Sequence, residues 1–283
     1  MKAFFKKLKY TPFEIAEAIV TDLINIYEKI NFYTKKIRGK YSFLKKNKLL
    51  KKIHSHKRIF LLGNGPSLKD FDLKKLKDEI VIMVNRSFDH PDYEVIKPKY
   101  HIFIDPKLKT GEWPLEYLDT VYKKNPGVNL LLNAKWYHLE KFSKYRDKKN
   151  VFWIINNCIS LLFDNFNVNL TTIYNSGVAV VDQGLSLAIY SGCKKIYILG
   201  VELNGIAYLM TGQDSHFSGK DPDYRNHNCW KYSRSMDSSS RGIRQLYRFN
   251  DLCKKRNIEL INLSKRGLLD FIPKENFNDL FNS

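Results

Sequence analysis

The run Ile59-Phe60-Leu61-Leu62-Gly63-Asn64-Gly65-Pro66-Ser67-Leu68 places two glycines, an amide and a hydroxyl directly after an apolar segment. Glycine takes positive φ and lets a ligand approach the backbone, so Gly63 and Gly65 read as a turn that can cradle one. Ser67 is placed to cap a following helix, whose free N–H groups and dipole favour phosphate. The run is not the GxGxxG fingerprint, because Leu68 stands where the third glycine is needed, and it lacks the Gly-Lys-Ser/Thr ending of a P-loop. A tight turn without a ligand is the plainer reading. The crowding of Asn64, Gly65 and Ser67 into one turn favours a phosphate or nucleotide site.

Other apolar segments also finish in polar residues: Asn85-Arg86-Ser87, Asp105-Pro106-Lys107 and Val201-Glu202-Leu203-Asn204, while Asn175-Ser176-Gly177 precedes a helical segment. Residues 203–239 form a polar stretch rich in Ser, Asp, Tyr and His, and offer three groups able to deprotonate a hydroxyl: His216 first, then Asp237, then His227. Each is equally at home on a surface loop. Arg225, Lys231, Arg234, Arg241 and Arg244 can hold a diphosphate or form a solvated basic face. Tyr224, Trp230 and Tyr232 can stack on a sugar or base, or simply pack. Asp221-Pro222-Asp223 has the spacing of a carboxylate metal clamp, but such triplets arise easily by chance, and no metal is expected there.

These residues need a scaffold that converges them. Ile59–Leu62, Ile80–Val84, His101–Ile104, Asn129–Leu132, Val151–Ile155, Lys195–Gly200 and Glu259–Ile261 read as strands. Helical segments are expected near 71–78, 114–124, 137–145, 177–191 and 240–256. The strands are apolar throughout rather than alternating, as in a sheet covered on both faces. The pattern predicts an α/β fold, a Rossmann-like doubly wound and mostly parallel sheet, with residues 203–239 as a polar lid insertion. In such a sheet, ligands bind at the carboxyl ends of the strands.

Ahead of that rhythm, residues 1–57 read as a basic helical extension and 58–283 as the catalytic domain. Thr11-Pro12-Phe13-Glu14 is a helix start. Ile15, Ile19, Leu23, Ile26, Tyr27 and Ile30 follow at helical spacing. The 283 residues carry 48 Lys+Arg against 29 Asp+Glu, a net +19; residues 1–56 hold 14 against 4, a net +10, so one fifth of the chain carries half the excess. A basic amphipathic helix of this kind suits an anionic membrane surface. Packing on its own domain or on a twin subunit is the competing reading, so a homo-oligomer stays open. Nucleic acid is disfavoured, because the basic run has little aromatic interleaving. No window is long and apolar enough for a spanning helix, and no secretory signal is expected. Cys158, Cys193, Cys229 and Cys253 are widely spaced, as in a reducing compartment. The expected location is cytoplasmic, peripheral on the inner face of the membrane.

Gly63-Asn64-Gly65-Pro66-Ser67-Leu68-Lys69 resembles the opening motif of bacterial family 42 sialyltransferases. Ser176-Gly177-Val178, Ala188 and Lys195-Ile196-Tyr197-Ile198-Leu199-Gly200-Val201 are similar to their second conserved region. Asn85-Arg86-Ser87, Lys97-Pro98-Lys99-Tyr100 and Asp105-Pro106 resemble a broader set, the domain-of-unknown-function 115 or hydroxymethylpterin pyrophosphokinase-like proteins. The resemblance covers roughly residues 58–275. It implies nucleotide phosphate and ribose contacts at Asn64, Gly65, Ser67 and Asn85, and a donor contact at Asp105. It further implies base recognition at Ser176 and Gly177, and a tyrosine steadying the donor phosphate at Tyr208. Asp214-Ser215-His216-Phe217 resembles a His-Phe motif of the broader set. Two departures stand out: Ile173 replaces a family arginine, and Asp237 aligns where the sialyltransferases have their catalytic histidine.

The function expected from all this is a glycosyltransferase. It moves a sugar from a nucleotide donor to a bacterial surface glycan or glycolipid. On the resemblance, the sugar is sialic-acid-like and the donor CMP-linked. No cofactor and no divalent metal are expected. The alternatives are a pyrophosphokinase using ATP and magnesium, with Asp105 and Glu202 as carboxylates, and a nucleotide-binding module without turnover.

Overall fold

The computed structural model describes residues 12–155, 157, 167–174, 177, 179–219, 228–267 and 269–282. It opens with α1 (Pro12–Ile37), whose proline occupies the first helical position, where its missing N–H costs nothing. The α/β body comes next as β1 (Arg58–Leu62), β2 (Ile80–Val84), α2 (Tyr93–Ile96), β3 (Tyr100–Phe103), α3 (Pro106–Thr110) and α4 (Glu116–Lys124). It continues as β4 (Asn129–Asn133), β5 (Val151–Ile154), α5 (Val180–Tyr190), β6 (Lys195–Leu199), α6 (Gly205–Met210), α7 (Cys229–Lys255) and β7 (Glu259–Asn262).

Among the described residues, seven strands form one sheet in the order β5-β4-β3-β2-β1-β6-β7. Every pairing is parallel. The expected strands are all present, so the α/β reading holds. Alternate residues of a strand go to opposite faces. Ile59 and Leu61 enter one core with Leu185, Leu246 and Phe249. Phe60 and Leu62 enter the other with Leu108, Leu118 and Phe142. Both faces are covered, and for that reason these strands read as unbroken apolar runs. α5 lies so close to the sheet that a Cβ on Gly184 would stand 2.4 Å from Leu61 Cδ1.

The helices depart further from expectation. The segments near 71–78 and 137–145 form only 3₁₀ turns, at Leu73–Leu76 and Glu140–Tyr145. Leu73 and Leu76 are spaced i, i+3, which suits the three-residue period of that turn. The helix expected from 240 begins eleven residues earlier, at Cys229, with the Asn228 side chain accepting from Lys231 N at 3.0 Å as its N-cap. Its first three turns are mostly polar, with only Cys229, Trp230, Tyr232 and Met236 apolar or aromatic, so their helical signal is weak.

The N-terminal region also divides differently. The chain from Ser42 to Lys57, expected with the helical extension, is built into the body. Leu44 and Leu50 are buried. The buried Asn47 amide donates to Trp153 O at 2.7 Å and Leu170 O at 2.6 Å, and the backbone of Lys52 and His54 bonds to Tyr190 and Ser191. α1 docks on the body too, but not by its apolar side. Ala18, Asp22, Asn25 and Phe32 are buried. Glu17 pairs with Arg241 at 3.0 Å and Glu28 with Lys135 at 3.1 Å. Among the described residues, no helix is long and apolar enough to cross a membrane.

Candidate active site

The chain runs outward from β1 through β2, β3, β4 and β5, then returns to the other side of β1 as β6. The order therefore reverses between β1 and β6, and that is where a crevice opens beyond the strand ends. A cleft of about 440 Å³ lies there, within the range of small-molecule sites. Its floor is the loop after β1 (Gly63, Asn64, Gly65), the end of β2 (Val84, Asn85) and the loop after β6 (Gly200 to Gly205). Ala179, Val180 and Val181 at the start of α5 form an apolar flank, and Arg234, Ser235, Ser238 and Ser239 of α7 form a polar wall.

The glycine loop performs a different task from the one its sequence suggests. Neither Gly63 nor Gly65 has positive φ; Gly65 is extended, with φ −65° and ψ 155°. They are glycines because the β6 loop presses on them. A Cβ on Gly63 would stand 2.2 Å from Gly200 O, and one on Gly65 1.5 Å from Glu202 Oε2. Nor does Ser67 cap a phosphate-binding helix. The chain continues from Gly65 as a five-residue 3₁₀ turn, Pro66–Asp70, without a side-chain cap. Ser67 is buried away from the cleft, its Oγ donating to Glu202 Oε1 and lying 3.0 Å from Ser264 Oγ, which in turn accepts from Gly200 N at 3.0 Å. This knot ties the loops after β1, β6 and β7 together. Burial pushes the Glu202 carboxyl above the usual carboxylate range, with the Ser67 bonds opposing the shift.

Two residues on the cleft floor hold a left-handed backbone: Asn85, at φ 46°, and Leu203, at φ 53°. Asparagine tolerates this conformation, whereas for leucine it costs roughly 1–2 kcal/mol. Asn85 is braced from behind. The fully buried His101 donates from Nε2 to Asn85 O at 2.8 Å, and its Nδ1 accepts from Tyr93 Oη at 3.0 Å. Burial holds His101 neutral by lowering it to about 4. Asn85 lines the cleft, and its Oδ1 is buried without a protein partner. Asn64 Oδ1, Asn204 Oδ1 and Ser215 Oγ are in the same condition, buried and unpartnered at the same cleft. A buried polar atom left unpaired costs about 1–3 kcal/mol, and four of them belong to residues that line this cleft.

A strap over 214–219 borders the cleft. Phe217 is buried with its ring 5.1 Å from that of His90, and its N–H donates to Asn64 O at 3.0 Å. His216 lines the cleft, its Nδ1 3.3 Å from the same carbonyl. A carbonyl only accepts, so Nδ1 is the donor in this bond. Asp214 pairs with Lys69 at 3.0 Å on the exposed side.

With this geometry in place, residues 33–206 match the family model for 6-hydroxymethylpterin diphosphokinase MptE-like proteins. The chain belongs to the MptE-like family. The match ends before the strap and α7, so His216 and Arg234 lie beyond the part that the MptE-like model covers. A search of curated proteins gives no match. Among solved structures, the MptE-like chain is similar to the sialyltransferase CstII from Campylobacter jejuni in complex with cytidine-5'-monophosphate, at 20% identity and a TM-score of 0.45, covering 78% of this chain and 86% of that one. It is also similar to the MAf glycosyltransferase from Magnetospirillum magneticum AMB-1, at 12% identity and a TM-score of 0.49, covering 84% of this chain and 38% of that one.

The structure thus brings Gly63, Asn64, Gly65, Asn85 and His216 of this MptE-like chain to one cleft, and leaves other candidates elsewhere. Asp105 caps α3, accepting from Lys107 N at 3.0 Å, and does not line the cleft. Asp237 is exposed one turn beyond Arg234 on α7 and lines a groove with α1 instead of the cleft. Tyr208 is buried in α6 and Trp230 is exposed; neither lines the cleft. Arg241 and Arg244 turn to Glu17 rather than to the cleft. Gly177 has φ 78° and its carbonyl accepts from Gln183 Nε2 at 3.0 Å. Asn175, Ser176, Asp221, Asp223, Tyr224, Arg225 and His227 lie outside the described residues. Among the described residues, no three His, Cys, Asp or Glu side chains cluster as metal ligands. Sequence reasoning missed Ser235, Ser238 and Ser239, and named Asn204 and Ser215 only as parts of a strand end and of the His-Phe motif. Only the i, i+4 repeat of 234/238 and 235/239 signals the serines of α7, and it becomes readable once residues 229–239 are known to be helical.

Proposed function

We propose that the cleft binds a nucleotide sugar and that the protein is a glycosyltransferase acting on a hydroxyl of a surface glycan or glycolipid. The observation that carries this reading is the polar lining of the cleft at the strand ends, Asn64, Asn85, Asn204 and Ser215 together with Arg234 and the serines of α7. Carboxamides both donate and accept, so ribose and sugar hydroxyls and a nucleobase edge fit this lining. Arg234, with Ser235, Ser238 and Ser239, supplies a cation and donors for the phosphate that departs, stabilising charge that develops as the glycosidic bond breaks. His216 takes the proton from the attacking acceptor hydroxyl. The bond from acceptor oxygen to the anomeric carbon forms as the bond from that carbon to phosphate breaks. The resemblance of the glycine loop to family 42 sialyltransferases supports CMP as the nucleotide and a sialic-acid-like sugar. In this reading no divalent metal takes part.

The family description supports a second reading, diphosphate transfer from ATP with magnesium. Its two expected carboxylates are poorly placed for it, because Asp105 caps α3 and Glu202 is locked to Ser67.

A thermal-shift panel with CMP, CDP, UDP, GDP, ADP and ATP, each in EDTA or in magnesium, separates the two. A nucleotide at a hundred times its dissociation constant stabilises by about 2.7 kcal/mol. The expected result is stabilisation by CMP in EDTA, abolished in Asn64→Ala and in Asn85→Gly, the latter keeping the left-handed backbone free of strain. Stabilisation by UDP or GDP keeps the reaction and changes the donor. A shift with ATP in magnesium alone replaces the reading with diphosphate transfer, and no shift with any nucleotide refutes both.

A further inference from the structure

We propose that the outward face of α1, together with the basic segment after it, docks on an anionic lipid surface. An amphipathic helix ordinarily turns its apolar stripe to the core and its polar residues to water. α1 largely does the reverse: Ala18 and Phe32 are buried against the body, but so are polar residues, and most of its large apolar side chains face outward. Its Glu17, Asp22, Asn25 and Glu28 face the body, where Asn25 is 2% exposed and both of its side-chain polar atoms lack partners. Ile19, Leu23, Ile26, Ile30 and Ile37 run along the opposite side at helical spacing, exposed by 46% at Ile19 and up to 88% at Ile37. Val20, Ile24 and Tyr27 widen the stripe. An apolar patch of this size on a surface marks an interaction site.

Charge identifies the occupant. From Lys29 to Lys57 the chain has eleven Lys and Arg and no Asp or Glu. Within that segment Leu49 and Ile53, 67% and 54% exposed, sit among the exposed Lys48, Lys51 and Lys52. A second copy seated on the stripe would bring two such segments together, like charge against like. An anionic bilayer offers an apolar layer for the isoleucines and phosphates for the lysines, whose stems reach along the headgroups. The helix lies on such a surface rather than crossing it, since its other side is held to the body by ion pairs. This docking is independent of the chemistry in the cleft.

The test is co-sedimentation of the full-length protein with vesicles of phosphatidylcholine and with vesicles of equal parts phosphatidylcholine and phosphatidylglycerol. Light scattering of the same samples without lipid gives the oligomeric state. Binding at least tenfold stronger to the anionic vesicles, weakening as salt rises, is expected. Leu23→Glu/Ile30→Glu should lower it at least tenfold with an unchanged melting temperature, because both positions are already exposed. Ile19→Glu/Ile26→Glu is the second variant should the first unfold. Lys45→Glu/Lys48→Glu should weaken binding to anionic vesicles alone. Equal binding by wild type and stripe variant, or none by wild type, overturns the proposal. A wild-type dimer made monomeric by Leu23→Glu/Ile30→Glu also overturns it, assigning the stripe to a second copy.

Discussion

At Gly65 a single hydrogen in place of a methyl group decides whether two loops can meet. The added carbon of Gly65→Ala would fall on the Glu202 carboxylate and 2.7 Å from Gly200 O. Glu202 cannot swing aside without breaking its bond to Ser67, so urea unfolding should register a loss of at least about 2 kcal/mol. Gly65→Ala/Glu202→Ala should recover part of it. His101 sets a pH dependence at the same scale. Its folded value lies near 4 against 6.5 for the free group. The unfolded chain therefore binds its proton first, and stability falls as pH drops from 6.5 towards 4, by up to about 3 kcal/mol. The raised carboxyls of Glu202 and Asp182 act with the opposite sign, losing stability as pH rises above the usual carboxylate range. Comparing the unfolding free energy of wild type and His101→Gln across that window isolates the histidine, and the variant should lose the acid-side decline attributable to it.

At the scale of elements, the strap over 214–219 is held by packing rather than by its ion pair. The Lys69–Asp214 pair is exposed on both sides, and Asp214→Ala should cost less than about 1 kcal/mol. Phe217 is buried against His90 and carries the backbone bond to Asn64. Phe217→Ala should cost about 3 kcal/mol and, by freeing His216 from its place, should lower turnover of the sugar donor more than nucleotide affinity. Chemical denaturation and steady-state kinetics on the two variants measure this contrast. α7 has two roles because successive turns of it meet different neighbours. Arg234 and Ser238, one turn apart, meet the cleft, and Arg241 and Arg244 meet α1.

Across the whole molecule, stability is expected to be graded outward from β1 and β6. These strands are paired on both sides and covered on both faces. Their amides should exchange with solvent most slowly, and those of 214–219 much faster. A bound nucleotide should slow exchange at 63–65, 200–204 and 214–219 together, since those segments line one cleft; hydrogen exchange with and without CMP measures it. A nucleotide that slowed only one of these segments would place its site elsewhere.

The seven strands and their parallel class were legible in the sequence because a strand buried on both faces leaves a continuous apolar run, as at Ile59–Leu62 and Ile80–Val84. Asn64, Asn85 and His216 were legible as chemistry at strand ends and in a polar insertion. What the sequence leaves undetermined is direction. Periodicity places Ile19, Leu23, Ile26 and Ile30 on one side of α1 without saying which way that side points, and ion pairs from Glu17 and Glu28 to distant residues turn it outward. Gly63 and Gly65 look like ligand-cradling glycines, yet their need arises from Gly200 and Glu202, more than 130 positions away. Asp105 and Asp237 have the right chemistry, but a local cap claims one and the other lines a groove with α1 instead of the cleft. Local pattern fixes elements by short-range geometry; only the packed chain decides which side chains converge, because convergence depends on contacts between residues far apart in sequence.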